Sequence, residues 1–313
     1  MPQGSVLGPL LFLIFINDLN LSIEHSHTIH FADDTSLVNC NHSLKKLNKQ
    51  VNHDLRLLNE WLRSNKICLN ADKTEIILFR SSSRKAIKKS LNFRINGQKI
   101  LPKSCVTYLG VKINQFLSWK EHFMSVVTKL SRANGMLAKL RHYVTRETLI
   151  NVYYAIFNSH LSYCLLAWGK LPNYISDKIR SLQNSALRLI HFKNRFDRTA
   201  PLYYDAKILP FKAQLIKYQS IFAFDQLCKT TPIVFRDFCL PISDTHDHDT
   251  IASKMKLLSV PRTNTVEYGT KSVKTQVAKS WNFIIPCLKK ELHEYSKSMF
   301  INEISEILLS KFT

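Results

Sequence analysis

The chain has 313 residues, which is enough for one large domain or two to three ordinary ones, and 45% of them are hydrophobic, as in globular proteins. Its 44 Lys and Arg against 23 Asp and Glu give a formal net charge of +21. Such an excess predicts attraction to a polyanion, nucleic acid first and an anionic membrane surface second. A soluble protein that happens to be basic also fits these numbers.

Cysteine spacing and the N-terminal apolar run bear on location. The seven cysteines are widely spaced and include no CxxC pair, which indicates reduced thiols rather than a disulfide framework or a zinc knuckle. The run LGPLLFLIFI is too short to span a bilayer and lacks the basic start and cleavage site of a signal peptide. We therefore expect an intracellular protein, in nucleus or cytoplasm, without a membrane span.

The first sixty-six residues predict a helix, a hairpin and a second helix. Residues 5–22 are apolar on all sides, which predicts a helix that is almost wholly buried. The β-prone segments HTIHF and TSLVN are separated by a short turn that contains Asp33 and Asp34, which predicts an antiparallel hairpin with both carboxylates at its tip. Residues 42–66 repeat apolar side chains at three- and four-residue steps, which predicts an amphipathic helix.

Residues 67–113 predict further strands. ICLNADKTEIILF predicts a turn into a strand, FRINGQKI predicts a hairpin on Asn96-Gly97, and CVTYLGVKI predicts one more strand. Up to residue 113 the expected fold class is therefore α+β, with helices packed on an antiparallel sheet.

The remainder is predicted to be mostly helical. A helix begins at the capping box formed by Ser118 and Glu121, and others cover residues 146–168, 175–190 and 201–228. Residues 229–265 are predicted to be an irregular linker, and a last helical piece covers 273–310.

Adjacent carboxylates at a hairpin tip suit a divalent cation. Hard oxygen ligands are those that Mg²⁺ prefers, with water and phosphate oxygens in the remaining positions. Two carboxylates in a turn are nevertheless more often an ordinary surface turn than a metal site. The surrounding motifs decide between the two interpretations.

Several blocks of the sequence resemble a known family in the family's order and spacing. They are PQGSVLGPLLFLIFINDL at 2–19, FADD at 31–34, LNEWLRSNKICLNADKTEIILF at 58–79 and YLGVKI at 108–113. They are similar to the corresponding blocks of reverse transcriptases from non-LTR retrotransposons, in particular the jockey-like group. The resemblance continues through YAIFNSHLSYCLLAWG and VPRTNTVEYGTKSV, so it covers almost the whole chain.

The resemblance implies a site and its cofactor. Asp33 would bind two catalytic Mg²⁺ ions, with Asp34 as a weaker or structural partner, and Lys73 would protonate the departing pyrophosphate. Gln3 and Gly4 would line the pocket where template base and incoming dNTP meet, and Phe31 would lie near the last primer nucleotide. Simpler alternatives are a solvated turn for Lys73, a helix-start turn for Gly4 and a hairpin core position for Phe31.

The resemblance also implies nucleic-acid contacts. Tyr108, Leu109 and Gly110 would shape the primer grip. A basic stretch from residue 80 to 103 contains no acidic residue and would contact the phosphate backbone, although a solvated charged loop is the alternative. Its members include Arg80, Arg84, Lys85, Lys88 and Lys89.

The implied organisation is a partial polymerase palm at 1–113, a helical thumb-like region at 114–228, and a linker with a C-terminal helical region at 229–313. The implied partners are an RNA template, a DNA primer and dNTPs. In this family a further metal-binding aspartate lies upstream of the PQGS block, so we expect an N-terminally truncated fragment that is inactive alone. The alternative is a retrotransposon remnant that binds nucleic acid without catalysis.

Overall fold

A computed structural model describes residues 4–82, 91–244 and 255–312. The fold is mixed α+β, as predicted, and within these ranges the strands form four separate two-stranded sheets. Contacts divide the chain into two compact units: a first unit of residues 1–121 and a second unit of residues 122–313. The three-part division predicted from the sequence stays a prediction.

The first helix exposes most of its apolar surface. Helix α1 (Leu7–Ile16) continues into a 3₁₀ helix (Asn17–Ser22), and only Ile16 and Leu19 are buried. Leu7 is 62% exposed and Ile14 is 66% exposed. The predicted near-complete burial is therefore wrong. An all-apolar pattern specifies no buried face, and within the first unit only one stripe of α1 contacts the core.

Helix α2 (Leu44–Ser64) supplies the core of the first unit. Ser43 caps its first turn by accepting a hydrogen bond from the Lys46 amide. Its buried face packs with α1 and with strand β4, as the predicted amphipathic pattern requires. The buried apolar residues on this face are Leu47, Leu55, Leu58, Trp61 and Leu62.

Within the described ranges the strands form separate pairs, most of them hairpins, rather than one antiparallel sheet, which corrects the prediction. Strands β1 (His27–Phe31) and β2 (Asp34–Val38) pair antiparallel, as do β4 (Phe93–Ile95) and β5 (Gln98–Ile100). Strands β3 (Ile76–Ile77) and β6 (Pro102–Lys103) pair in parallel. The predicted hairpin on Asn96-Gly97 is present.

The segment CVTYLGVKI folds back on itself instead of forming one strand. It contains β7 (Cys105–Tyr108) and β8 (Val111–Asn114), which pair antiparallel across Leu109 and Gly110. Both turn residues have positive φ, +45° and +77°, which matches the twist of a tight two-residue hairpin loop.

The second unit is built from helices around a fully buried interior. In chain order they are α3 (Lys120–Leu140, beginning at the end of the first unit), α4 (Arg146–Val152), α5 (Ser159–Ser162), α6 (Leu165–Trp168), α7 (Asn173–Ile190), α8 (Ala200–Asp205), α9 (Phe211–Leu227), α10 (Val273–Ile284) and α11 (Lys297–Phe312). Helices α9, α10 and α11 share a core in which Trp281 and Phe300 are completely buried.

Two predictions for this unit need correction. The predicted helix 146–168 is interrupted by a π-helical turn (Tyr153–Asn158) and by a break at Cys164, where φ is +50°. The Trp168 indole stabilises this break by donating a hydrogen bond to the Tyr163 carbonyl at 2.8 Å. The segment 229–265 is not merely a linker, because its Cys239 and Leu258 are buried in the helical core.

Every helix in the described ranges is too short or too polar to cross a membrane.

Candidate active site

The paired acids lie at the end of an exposed hairpin, where the sequence places them. Ala32 and Asp33 form the two-residue loop, and Asp34 begins β2 opposite Phe31. Ala32 has φ +51°, a left-handed conformation that turns the chain tightly between the strands. Both carboxylates are exposed, so the tip can be reached by a ligand.

The two faces of this hairpin differ. Opposed and alternate residues share a face, so Asp34 lies on the same side as Phe31 and Ile29. Phe31 is 61% exposed and Ile29 is 50% exposed. The alternative in which Phe31 is a hairpin core residue is therefore wrong, and the outer face combines apolar side chains with a carboxylate.

The inner face is held by hydrogen bonds to the 3₁₀ helix that follows α1. Asn20 Oδ1 accepts from His30 Nε2 at 2.7 Å and also from the Thr28 hydroxyl. The other ring nitrogen of His30, Nδ1, lies within hydrogen-bond distance of the Thr35 hydroxyl, at 3.1 Å. This network fixes the hairpin against its neighbours and leaves the tip free to bind a ligand.

The base of the hairpin is anchored by Asp54, a residue that the sequence analysis did not single out. Asp54 lies on α2, is completely buried, and accepts from the His25 amide at 3.2 Å and the Ser26 hydroxyl at 2.5 Å. Asn39, just after β2, donates to the His25 carbonyl at 3.1 Å. A carboxylate on the buried face of an amphipathic helix is the signal that could have identified it.

The donor set at the tip fits part of a magnesium site. Mg²⁺ is commonly held by one or two carboxylates, with substrate phosphates and water completing its shell, and Asp33 and Asp34 supply oxygen donors of that kind. In the ranges with described side chains, no group of three close metal-binding side chains includes either aspartate. The tip thus offers two carboxylates and open space.

Lys73 lies at the end of a short 3₁₀ helix (Ala71–Lys73) between α2 and β3. Its amide donates to the Asn70 carbonyl and to the Asn70 side chain, each at 3.2 Å, and its side chain is exposed. The backbone is therefore fixed by a local turn, while the ammonium group is available for an anionic ligand.

The turn that joins β7 to β8 presents the predicted primer-grip residues. Tyr108 and Leu109 are partly buried, and Gly110 is exposed. Gly110 tolerates its positive φ without strain, whereas a leucine in that conformation is uncommon. The turn is thus held in one shape by its strands.

The remaining predicted nucleotide and backbone contacts are only partly described. Gln3, Arg84, Lys85, Lys88 and Lys89 lie outside the described residues. Gly4 has φ +90° before α1, and no atom lies within 4 Å of the position that a β-carbon would occupy. Any side chain there would be strained by the backbone conformation alone, so the helix-start alternative for Gly4 also explains it.

Two basic residues of the predicted backbone-binding stretch have protein partners. The Arg80 guanidinium lies 4.9 Å from the centre of the Phe116 ring. Lys103 Nζ lies 2.5 Å from Glu75 Oε1, an acid from outside the stretch. Arg94 is exposed on β4 and lines an open cavity of about 540 Å³ with asparagines of α2, notably Asn48 and Asn52.

Comparison with known sequences identifies relatives of this chain. Residues 1–113 match the family described as "Reverse transcriptase (RNA-dependent DNA polymerase)". An RNA-directed DNA polymerase from mobile element jockey of Drosophila melanogaster is 26% identical over 219 residues, covering 66% of this chain and 23% of that protein. The chain thus spans about a quarter of that relative's length.

Two further relatives come from similar elements. A Pol polyprotein from type-1 retrotransposable element R1 2 of Nasonia vitripennis is 23% identical over 202 residues, covering 61% of this chain and 48% of the relative. A probable RNA-directed DNA polymerase from transposon X-element of Drosophila melanogaster is 24% identical over 230 residues, covering 70% of this chain and 25% of that protein. No solved structure matches the chain. The predicted resemblance to reverse transcriptases of non-LTR retrotransposons is confirmed by these matches.

Proposed function

Because residues 1–113 match the reverse transcriptase family, we propose that this chain forms part of a polymerase that copies an RNA template into DNA. Its substrates would be a primer 3′ end paired to the template and an incoming dNTP. The observation that supports this most directly is the open hairpin tip with Asp33 and Asp34, inside the matched region.

We propose that Asp33 is the main magnesium ligand and that Asp34 assists it. Magnesium bound there would increase the nucleophilicity of the primer hydroxyl and stabilise the charge on the departing pyrophosphate. The role of the protein is to present both carboxylates on a rigid hairpin, which Asp54 anchors at the base and Asn20 holds along one face. Preorganised ligands of this kind lose little entropy when the substrate binds.

Other residues of the first unit would position substrate and proton. Phe31, exposed beside Asp34, offers an aromatic face against which the terminal base pair can stack. The exposed ammonium of Lys73 would donate a proton to the pyrophosphate oxygen as it leaves. Tyr108, Leu109 and Gly110 would contact the primer strand, while Gln3 and Gly4 would border the dNTP.

We further propose an organisation around nucleic acid: a partial palm at 1–113, a thumb-like helical region at 114–228 and a C-terminal region at 229–313. The net charge of +21 supports phosphate contacts of low sequence specificity. In the first unit, the cavity that Arg94 lines beside the α2 asparagines offers a guanidinium donor for such contacts, while the amide group of Asn52 already donates to the Asn48 and Asn92 carbonyls.

The sequence leads us to expect a chain that is inactive alone, and we propose that it extends primers at most weakly. Two metal ions held close together repel each other, and within the described residues Asp33 and Asp34 have no third carboxylate beside them. Slow extension, requiring high Mg²⁺ concentration, is the expected behaviour.

Primer extension tests this function. A labelled DNA primer on an RNA template is incubated with the 313-residue chain, dNTPs and raised Mg²⁺, and the products are resolved by length. Asp33→Asn should reduce extension at least about tenfold, since changes even to the outer-shell partners of a metal cost about 10–100-fold. Asp18→Asn, which changes an exposed acid elsewhere in the first unit, is the matched control and should extend as the wild type does.

Template–primer binding is measured in parallel by fluorescence anisotropy to show that each variant remains folded. If wild type and Asp33→Asn bind equally and also give equal extension signals, catalysis at the hairpin is contradicted. Binding without catalysis would then be the function of the chain.

A further inference from the structure

Three side chains converge beside the base of the first hairpin and have no role in the proposed polymerase. Glu24 and His25 lie in the short segment before β1, and His53 lies on α2. Glu24 Oε2 lies 3.0 Å from His53 Nε2 and 3.9 Å from His25 Nε2. Within the described part of the chain, this is the one group of three potential metal ligands whose donor atoms all lie within 4.8 Å of one another.

We propose that Glu24, His25 and His53 bind a divalent transition-metal ion of the zinc class, with water as the fourth ligand. The bound ion would link the segment before β1 to α2 and so stiffen the hairpin that carries Asp33 and Asp34. This site is separate from the proposed magnesium site, because it includes neither of those aspartates.

The ligand chemistry favours zinc over magnesium. Imidazole nitrogen is a preferred ligand of Zn²⁺, and two histidines with one carboxylate are a common three-residue set with an open fourth position. With metal–ligand bonds of about 2.0–2.1 Å, tetrahedral ligand atoms lie about 3.3 Å apart. The two separations from Glu24, 3.0 and 3.9 Å, differ from that value by less than 1 Å, and all three donor atoms lie within 4.8 Å of one another.

The backbone under the site is fixed before any ion binds. Buried Asp54, adjacent to His53 on α2, holds the amide of His25 and the hydroxyl of Ser26. The two imidazole rings lie 5.3 Å apart between centroids. Since both ligand-bearing segments are held by the same buried carboxylate, little conformational entropy is lost on binding.

Arg56 competes with the metal for His53. Its guanidinium donates to His53 Nδ1 at 3.1 Å, so the ring proton sits on Nε2, the atom that faces Glu24. Metal binding at Nε2 requires that proton to be lost and Nδ1 to carry one instead, which displaces the arginine. Arg56 is 64% exposed and has Glu60 at 3.9 Å as another partner, so it can move away.

Zinc titration of the 313-residue chain tests the proposal. Zn²⁺ affinity and stoichiometry are measured by competition with a chromophoric chelator in excess Mg²⁺. His53→Ala and His25→Ala should each weaken the tightest site at least about tenfold, since the loss of an outer-shell partner alone costs about 10–100-fold. His42→Ala, at an exposed histidine outside the cluster, is the matched control and should leave the affinity unchanged.

Arg56→Gln gives a change in the opposite direction. Removing the donor to His53 Nδ1 should raise Zn²⁺ affinity severalfold, an effect that a purely structural role of Arg56 would not produce. Zn²⁺ should also slow amide hydrogen exchange in residues 23–31 of the wild type but not of His53→Ala. Circular dichroism confirms that each variant is folded.

Two results would overturn the proposal. Wild-type Zn²⁺ affinity in His53→Ala would show that the ion binds elsewhere among the histidines and cysteines. Displacement of the ion from the wild type by millimolar Mg²⁺ would show that the site does not select a zinc-class metal.

Discussion

The two units of the chain bury their apolar residues to very different extents. In the second unit, large side chains such as Tyr153, Trp168 and Trp281 are completely buried. In the first unit, α1 leaves Leu7, Leu10, Leu13 and Ile14 more than half exposed. The second unit therefore has an extensive closed core, whereas the first, which carries the candidate active site, leaves apolar side chains of α1 exposed.

The buried tryptophan of the second unit gives the largest expected effect. Trp281 packs against Phe300, with ring centroids 5.9 Å apart, and its indole donates to the Lys256 carbonyl at 3.0 Å. Trp281→Ala should lower the free energy of unfolding by about 3–5 kcal/mol, because it leaves a cavity that packed helices cannot close. Urea denaturation followed by circular dichroism measures the loss.

Trp61→Ala in the first unit is the matched comparison. Trp61 is 8% exposed and lies 6.0 Å from Phe15, itself 42% exposed. Trp61→Ala should lower the free energy of unfolding less than Trp281→Ala does. Hydrogen exchange should increase in residues 4–82 rather than in the second unit. Equal costs for the two substitutions would contradict the difference between the cores.

Substitution of the buried Asp54 should give the next largest loss of stability, and the loss should be confined to the first unit. Asp54→Leu removes the acceptor for the His25 amide and the Ser26 hydroxyl, and hydrogen bonds to a charged group contribute about 1.5–3 kcal/mol. Asp54→Asn retains an oxygen acceptor and should cost about half as much, because neutral hydrogen bonds are weaker. Hydrogen exchange across β1 and β2 reports the local loosening.

Faster exchange in the second unit of Asp54→Leu would show that the two units do not unfold independently. An unchanged rate in β1 and β2 would show that Asp54 does not anchor the hairpin.

A pH effect is expected from the closed interior of the second unit. The side chain of His191 is only 6% exposed, and its pKa is lowered by burial and then by the charge of Arg146, with Asp205 acting in the opposite sense. The unfolded chain therefore binds a proton more readily than the folded one, and stability falls as pH drops below the unfolded value of about 6.5. His191→Gln should make the free energy of unfolding less dependent on pH.

The measurement is the unfolding free energy at pH 7.5 and at pH 5 for both proteins. An identical loss of stability on acidification would assign the effect to other titrating groups. The pKa shift would then have no consequence for folding.

Local sequence patterns predicted the elements that depend on local forces. The hairpin at Asp33 and Asp34, the hairpin on Asn96-Gly97 and the amphipathic helix α2 all follow from turn chemistry or periodicity. The hairpin at Leu109-Gly110 was missed because leucine rarely adopts positive φ. The break at Cys164 carries neither glycine nor proline, so no local signal marks it.

Tertiary contacts account for what could not be predicted. The hairpin pattern predicts where Asp33 and Asp34 lie. The anchoring of the hairpin by Asp54 could not be predicted, because Asp54 is 29 and 28 positions from its partners His25 and Ser26 in the sequence. The convergence of Glu24 and His25 with His53 depends on the same packing of α2. The exposed face of α1 was not predicted, because a helix that is apolar on all sides does not indicate which of its faces is buried.

The smallest stability effect is expected on that exposed face. Leu10 is 54% exposed and Ile14 is 66% exposed, and they are neighbours one turn apart on α1. The double substitution Leu10→Gln with Ile14→Gln should change the unfolding free energy by no more than about 0.5 kcal/mol, since Gln is a good helix former. Light scattering should show less self-association, because the apolar patch becomes smaller.

Ile16→Gln, at the buried end of the same helix, is the control. Ile16 is 7% exposed and packs in the core of the first unit, so a polar side chain there should cost several times as much as the double substitution. If the double substitution destabilises the first unit as strongly as Ile16→Gln does, the outer face of α1 is covered in the folded chain. The contrast between the two units would then be much smaller than their exposed surfaces indicate.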